Sequence, residues 1–310
     1  MTKTLKTFTA GLNLLILLSV TSWTAIAEEP VSEEPVNTVS NDAAEYLLRY
    51  QFHKGDILKW DVTQQIDMET QVATEQNQTN TFSRSTKVWT VMDVDESGTA
   101  TLEYSVENAE INNKAVTRNT PPGEKPIRKE ESASYNSKKT EEEPNPFFNE
   151  VARSIGIPLA HITIDPRGKL LKKIQKAPYA AAAEENRIAI PMPEKPIKVG
   201  ETWDVPNEIV LPQPGGIVQK IAVRERFTLE KVQNGIATIR YKTIRLTPVN
   251  DPKLKMRLID KEPNGIIFFD ITSGRNIEQQ IDIRQNVINW TERTASRAAY
   301  QCRMTEKHLK

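Results

Sequence analysis

Residues Ile57 to Thr74 read ILKWDVTQQIDMETQVAT. Leu58, Trp60, Val62, Ile66, Met68 and Val72 share one parity, and Lys59, Asp61, Thr63, Gln65, Asp67, Glu69 and Gln71 share the other. Alternation of period two over such a length predicts a half-buried β-strand, because successive side chains point to opposite faces. The apolar set breaks helical spacing. At ~3.3 Å per residue the strand spans roughly 50 Å, far beyond the usual five or six residues, and a strand that long must twist and curve. Its apolar face has to be covered. Gln64 and Thr70 fall on that same parity, so the inner face is not purely apolar.

The pattern continues outward. Phe82–Asp93 and Thr99–Glu110 read as a hairpin turning at Asp95-Glu-Ser-Gly98. Ala100, Leu102, Tyr104 and Val106 share a face, and after Glu107 the apolar parity shifts to Ala109 and Ile111, which predicts a β-bulge. Phe147–Ile155 has helical spacing behind Asn145-Pro146. His161–Ile174 reads as a hairpin turning at Asp165–Gly168.

The second half repeats these phrases in the same order. KGDILKWDV (54–62) answers to VGETWDV (199–205). WTVMDVDESGTATLEY (89–104) answers to FTLEKVQNGIATIRY (227–241). ITIDPRGKLLKKI (162–174) answers to IIFFDITSGRNIEQQI (266–281). Three matches in one order favour an internal duplication. Two amphipathic strands close the chain: Ile277, Ile281, Ile283 and Val287 share one parity in the first, and Ala298, Tyr300, Cys302 and Met304 share one parity in the second.

The N-terminus reads as a secretory signal over residues 1–27: Lys3 and Lys6, an apolar core from Leu12 to Val20, and Ala25-Ile26-Ala27 before the cleavage expected ahead of Glu28. Residues 28–44 are acidic, Pro-bearing and aperiodic, as a disordered leader is. The division that follows is a first β repeat at 45–175 with a mobile insert about 113–146, a linker at 176–198, and a second β repeat at 199–310. No later apolar run is long enough for a transmembrane segment in the mature chain. Without the signal, 39 basic side chains face 41 acidic ones. A nearly neutral surface with interleaved charges and few aromatics gives no platform for nucleic acid. One cysteine permits no intramolecular disulfide, so stability rests on a core.

Chemical motifs are sparse. His53, His161 and His308 lie in different phrases without ligand spacing, so no metal or other cofactor is expected. Asp93-Val-Asp95-Glu-Ser97-Gly98 opens like a calcium loop, but its twelfth position is Tyr104, where the loop needs a bidentate Glu. Asp165 and Asp270 read as turn-capping acceptors, and Cys302 as a small buried hydrophobe. No nucleophile elbow, phosphate loop or zinc-protease helix is present, and no catalytic residues are expected.

The phrases LLRYQFHKGDILKWDV, KVWTVMDVDESGTATLEYSVE, ITIDPRGKL, KVGETWDV and SGRNIEQQIDI…CRMTEKHL resemble a family of uncharacterised exported proteins frequent in planctomycete-type bacteria. The resemblance runs from about Glu45 to the C-terminus, departs at the lysine-rich insert around 118–144, and implies no catalytic residue. The long amphipathic strands are also similar in style to half-barrel carriers of the LolA type.

The fold expected is mainly β and antiparallel: two related halves with long curved strands, open-barrel or half-barrel like, with one or two short helices. The function expected is that of a noncatalytic protein of the periplasm or cell envelope. It would bind an apolar small molecule or lipid on a concave face carrying Trp60, Val62, Ile66 and Met68. The alternative is a structural or protein-interaction module of the envelope. An enzyme is the third reading. Oligomeric state is not legible in the sequence.

Overall fold

The strand read from the alternation is real and unbroken: it forms β2, Ile57–Val72, in a computed structural model that describes residues 44–139, 145–177, 189–212, 218–292 and 294–310. The segment read as a signal, and nearly all of that read as an acidic leader, lie outside the described residues. A two-residue turn, with Ala73 at φ 51°, returns the chain into β3, Glu75–Val94. The Asp95–Gly98 turn leads to β4, Ala100–Asn119. β5 (Ile127–Asn136), a short 3-10 turn (Pro146–Phe148), α1 (Asn149–Ser154), β6 (Pro158–Ile164) and β7 (Leu170–Gln175) complete the first half, which a two-residue β1 (Glu45–Tyr46) precedes. The second half holds β8 (Ile197–Lys198), β9 (Thr202–Pro212), β10 (Val218–Gln233), β11 (Ile236–Arg245), α2 (Pro252–Arg257), β12 (Asn264–Asp270), β13 (Arg275–Ile288) and β14 (Ser296–Leu309).

Twelve of these strands make one antiparallel sheet in the order β7-β6-β4-β3-β2-β14-β13-β12-β11-β10-β9, with β5 also on β4. The sheet is not closed into a barrel. The matched phrases fall on matched strands: β2 with β9, the β3–β4 hairpin with β10–β11, and β6–β7 with β12–β13. Ala100, Leu102 and Tyr104 point into the core, as do Ala237, Ile239 and Tyr241. The two copies are not in strict register. Trp203 pairs with Phe227, the counterpart of Trp89, whereas Trp60 pairs with Lys87, two residues away. A slip of two keeps every side chain on its own face; a slip of one would invert the sheet.

The bulge expected after Glu107 is present: Thr86 pairs with Asn108 and Lys87 with Val106, leaving Glu107 as the extra residue. Other expectations need correction. The segment read as a mobile insert contains the end of β4 and the whole of β5, paired from Glu110↔Asn136 to Asn119↔Ile127. Its residues are polar because this end of the sheet is solvated, so no alternation marked it. β3 likewise begins seven residues before Phe82, through Glu-Gln-Asn-Gln-Thr-Asn-Thr. Pairing on both sides satisfies that backbone where hydrophobicity does not.

The described part of the linker is no spacer. Ala189, Ile190, Met192 and Ile197 are buried in the main core with Leu48, Tyr50 and Phe52 from the segment ahead of β2. These two segments cover one end of the buried face of the sheet. Tyr50 N donates to Pro166 O at 2.7 Å, Gln51 N to Gly274 O at 3.1 Å, and Met192 N to Arg167 O at 2.7 Å. Ile190 N donates to the Tyr50 hydroxyl at 2.9 Å. Toward the other end, the α2 region packs Leu254 and Leu258 against β9 and β10, and Met256 and Ile259 against β2, β13 and β14. Phe148 and Val151 pack over Ile111 of β4.

Candidate functional site on the inner face

The four residues named from sequence as a ligand face all lie on β2, but the structure divides them. Trp60 is only 3% exposed. Its ring meets Trp89 at 4.9 Å and His308 at 5.3 Å, both edge-on, and its indole N–H donates to Asn276 O at 3.1 Å. Val62 packs against the same core. Ile66 and Met68 belong to a different cluster, half-buried against Ile283, Cys302 and Tyr300 with Met256 and Trp290. Trp60 and Val62 are therefore core members, while Ile66 and Met68 line the part of the face near α2.

Between the two apolar ends lies a band of buried polar groups. Lys87 Nζ stands 2.5 Å from Glu306 Oε2, with their side chains 14% and 10% exposed. The ammonium also lies 5.0 Å from the Trp60 ring centre and 5.3 Å from that of Trp89, a cation–π arrangement on both faces of approach. Gln279 Nε2 donates to Glu306 Oε2 at 2.7 Å. Burial, with the Glu306 carboxylate nearby, pushes the Tyr104 hydroxyl far above the ordinary tyrosine range. Gln64, Ser83 and Ser85 continue the band on β2 and β3. On the second half Glu262 pairs with Arg245 at 2.8 Å, and burial raises its carboxyl above the ordinary glutamate value. Sequence reasoning missed this band. Its signal was the parity of Trp89 and Val91, which, carried back along β3, turns Lys87, Ser85 and Ser83 inward.

Each of these charged groups is engaged with others of the same interior and serves to satisfy it. The remaining motifs resolve as turns or packing. Asp95 Oδ1 accepts from Ser97 N at 2.8 Å and Thr99 N at 3.0 Å, closing the hairpin that began like a calcium loop. Asp165 Oδ1 accepts from Arg167 N and Lys169 N, both at 2.9 Å, and Asp270 Oδ1 accepts from Thr272 N at 2.9 Å. Cys302 is 1% exposed. His161 meets Glu103 at 3.1 Å on the outer side, and His53 stands near Asp56 at 3.7 Å. Among the described residues no group of three or more His, Cys, Asp or Glu side chains is placed to hold a metal ion.

The outer face is charged. Arg84 holds Asp61 through two bonds of 2.8 Å, and Arg226 holds Asp204 in the second copy at 2.8 and 3.0 Å. Lys59 pairs with Glu107 at 2.6 Å. A wall that is apolar inside and charged outside reverses the polarity that a lipid-facing β-barrel requires. No helix among the described residues is long and apolar enough to cross a membrane.

No protein-family model matches the chain, and no curated protein matches it. Among solved structures, the translocator domain of the autotransporter NalP from Neisseria meningitidis is similar at 6% identity and a TM-score of 0.25, over 83% of this chain and 90% of that one. OccK7 (OpdD) from Pseudomonas aeruginosa is similar at 6% identity and a TM-score of 0.24, over 82% and 99%. Likenesses at this level carry no argument about what the chain does.

Proposed function

We propose that this is an exported, noncatalytic protein of the cell envelope that works as a structural or protein-interaction module. The observation that carries this reading is the contrast between the inner face and the sheet edges. Trp60 and Trp89 share one buried core with Leu48, Tyr50 and Phe52 and with Ala189, Ile190, Met192 and Ile197, so the chain's own residues fill that part of the inner face. Among the described residues, β5 pairs with β4 alone and β9 with β10 alone. Export is supported by Lys3 and Lys6, the Leu12–Val20 core and Ala25–Ala27. The noncatalytic reading is supported by the polar band, whose charges are spent on one another under cover.

A second reading keeps an apolar small molecule or lipid as partner. Ile66 and Met68 favour it, because they are half-buried beneath a helix of only six residues. Native mass spectrometry of protein released from the envelope without detergent separates the two. The interaction reading expects the bare mass. A stoichiometric lipid or apolar adduct, lost on Met68→Asp, would overturn it in favour of the second.

A further inference from the structure

The outer face carries one feature that the fold does not require. Phe82 of β3 stands on it 41% exposed. Among the described aromatic side chains only Phe147 is as open, and Phe147 rests edge-on against Phe148 at 5.1 Å. Counted from the matched Trp89 and Phe227, the residue that answers to Phe82 in the second copy is Lys220, which pairs with Glu208 at 2.6 Å. The same strand position therefore accepts an ion pair, like the Arg84–Asp61 and Arg303–Asp282 pairs of the first copy's outer face.

The neighbours of Phe82 are polar and mostly uncharged. Pairing across the sheet places Gln65, Phe82, Asn112 and Ser134 in one row, and Asp67, Asn80, Lys114 and Ser132 in the next. Cross-strand partners share a face, so these side chains stand together. They line a surface cavity of about 640 Å³. Sites for small molecules measure roughly 300–1,000 Å³. Ser132 and Ser134 come from β5, which has no counterpart in the second copy, where the chain passes from β11 to α2 and β12. The strand that breaks the duplication thus supplies one side of the cavity.

The lining selects a chemistry. Its two charged side chains, Asp67 and Lys114, have opposite sign, so it favours neither an anion nor a cation. Asp67 accepts from Asn80 and, at 3.3 Å, from Gln65. Lys114 is held by Glu130 at 2.6 Å. A carboxylate, amides and hydroxyls together accept and donate at several points, which suits a ligand whose own groups do both. The open Phe82 ring suits a ligand with an apolar face. A pyranose ring has both, with hydroxyls around its rim and C–H bonds on its faces. We propose that this cavity binds a neutral saccharide, one ring laid on Phe82 and its hydroxyls bonded to Gln65, Asp67 and Asn112. The site lies on the opposite face from Trp60 and Met68, so it is independent of both readings of the inner face.

The probes are cellotetraose, maltotetraose and N-acetylchitotetraose, with tetragalacturonate as the anionic control, each added to the full protein. Calorimetry reads affinity, and saturation-transfer NMR reads which protons of the sugar touch the protein. The expected result is one neutral tetrasaccharide bound per protein at millimolar concentration or below, with saturation strongest on the C–H protons of one ring. Phe82→Lys, which installs the residue of the second copy, weakens that binding at least tenfold. Asn112→Ala weakens it several-fold, and Phe147→Ala leaves it unchanged. Should Phe82→Lys lower the melting temperature, Asn112→Ala and Gln65→Ala carry the test. Absence of binding by all three neutral probes at tens of millimolar, binding that survives these substitutions, or tighter binding of tetragalacturonate each overturns the proposal.

Discussion

Gly168 and Gly274 hold matched turns in the two copies, and one stretch of chain, Arg49–Gln51, presses on both. A Cβ on Gly168 would stand 2.6 Å from Ile190 O and 2.7 Å from the Tyr50 ring. A Cβ on Gly274 would stand 2.6 Å from Gln51 N and 2.7 Å from Arg49 O. Both glycines have positive φ, 75° and 60°. The plug is thus keyed to the repeat, one glycine in each copy. Gly168→Ala and Gly274→Ala should each cost about 2–4 kcal/mol, summing a left-handed backbone penalty and a backbone clash. Gly123→Ala, at φ 79° with open space around it, should cost about 1 kcal/mol. Urea unfolding of the three variants checks the ranking.

The buried Lys87–Glu306 pair should behave as a unit. Lys87→Ala leaves a carboxylate buried beside Tyr104 and Gln279, and should cost about 3–5 kcal/mol. Lys87→Met with Glu306→Leu removes both charges and should cost less than Lys87→Ala alone. A double-mutant cycle in urea measures the coupling; additive losses would show that the two side chains do not depend on each other.

Two buried groups set opposite pH responses. Burial lowers the His308 pKa, so the unfolded chain takes up a proton first, near 6.5. Its contribution is complete above that value and is lost as pH falls through the lowered folded value. Its Nε2 is buried without a hydrogen-bond partner, against the Trp60 ring. His308→Phe should therefore keep or raise stability at pH 7 and weaken the loss between pH 6.5 and 5. Glu262 is the reverse. Burial raises its folded pKa, so its contribution is present below about 4.3 and lost as pH rises through the folded value. Glu262→Gln should flatten stability in that window. Unfolding midpoints across pH 4–7.5 read both.

The Asp93–Gly98 turn should ignore calcium. Millimolar calcium is expected to leave the melting temperature unchanged, because Asp95 is occupied with Ser97 and Thr99. Asp95→Ala should cost about 1 kcal/mol through the lost turn bonds.

Much of this architecture was legible where burial alternates. Leu58 to Met68 announced β2, and the Gly98 and Gly235 phrases announced the duplicated hairpins, because one face of each strand is buried and the other is wet. The β5 strand and the first third of β3 were not legible, since both faces there are polar and only backbone pairing marks them. The plug had a weak signal, Leu48, Tyr50 and Phe52 at alternate positions, but nothing local says that such a segment folds inside the sheet and not beside it. Trp60 was rightly placed on the inner face. What covers it comes from more than a hundred residues away, at Asn276 and His308, and spacing carries no trace of that.

Amide hydrogen exchange of the full protein without ligand reports on the interior and the edges together. A filled interior with one-sided edge strands expects residues 48–52 and 189–197 to be protected to the level of β2 and β14, and alternate amides of β5 and β9 to exchange fast. Rapid exchange in both plug segments, or full protection along β5 and β9, would contradict it.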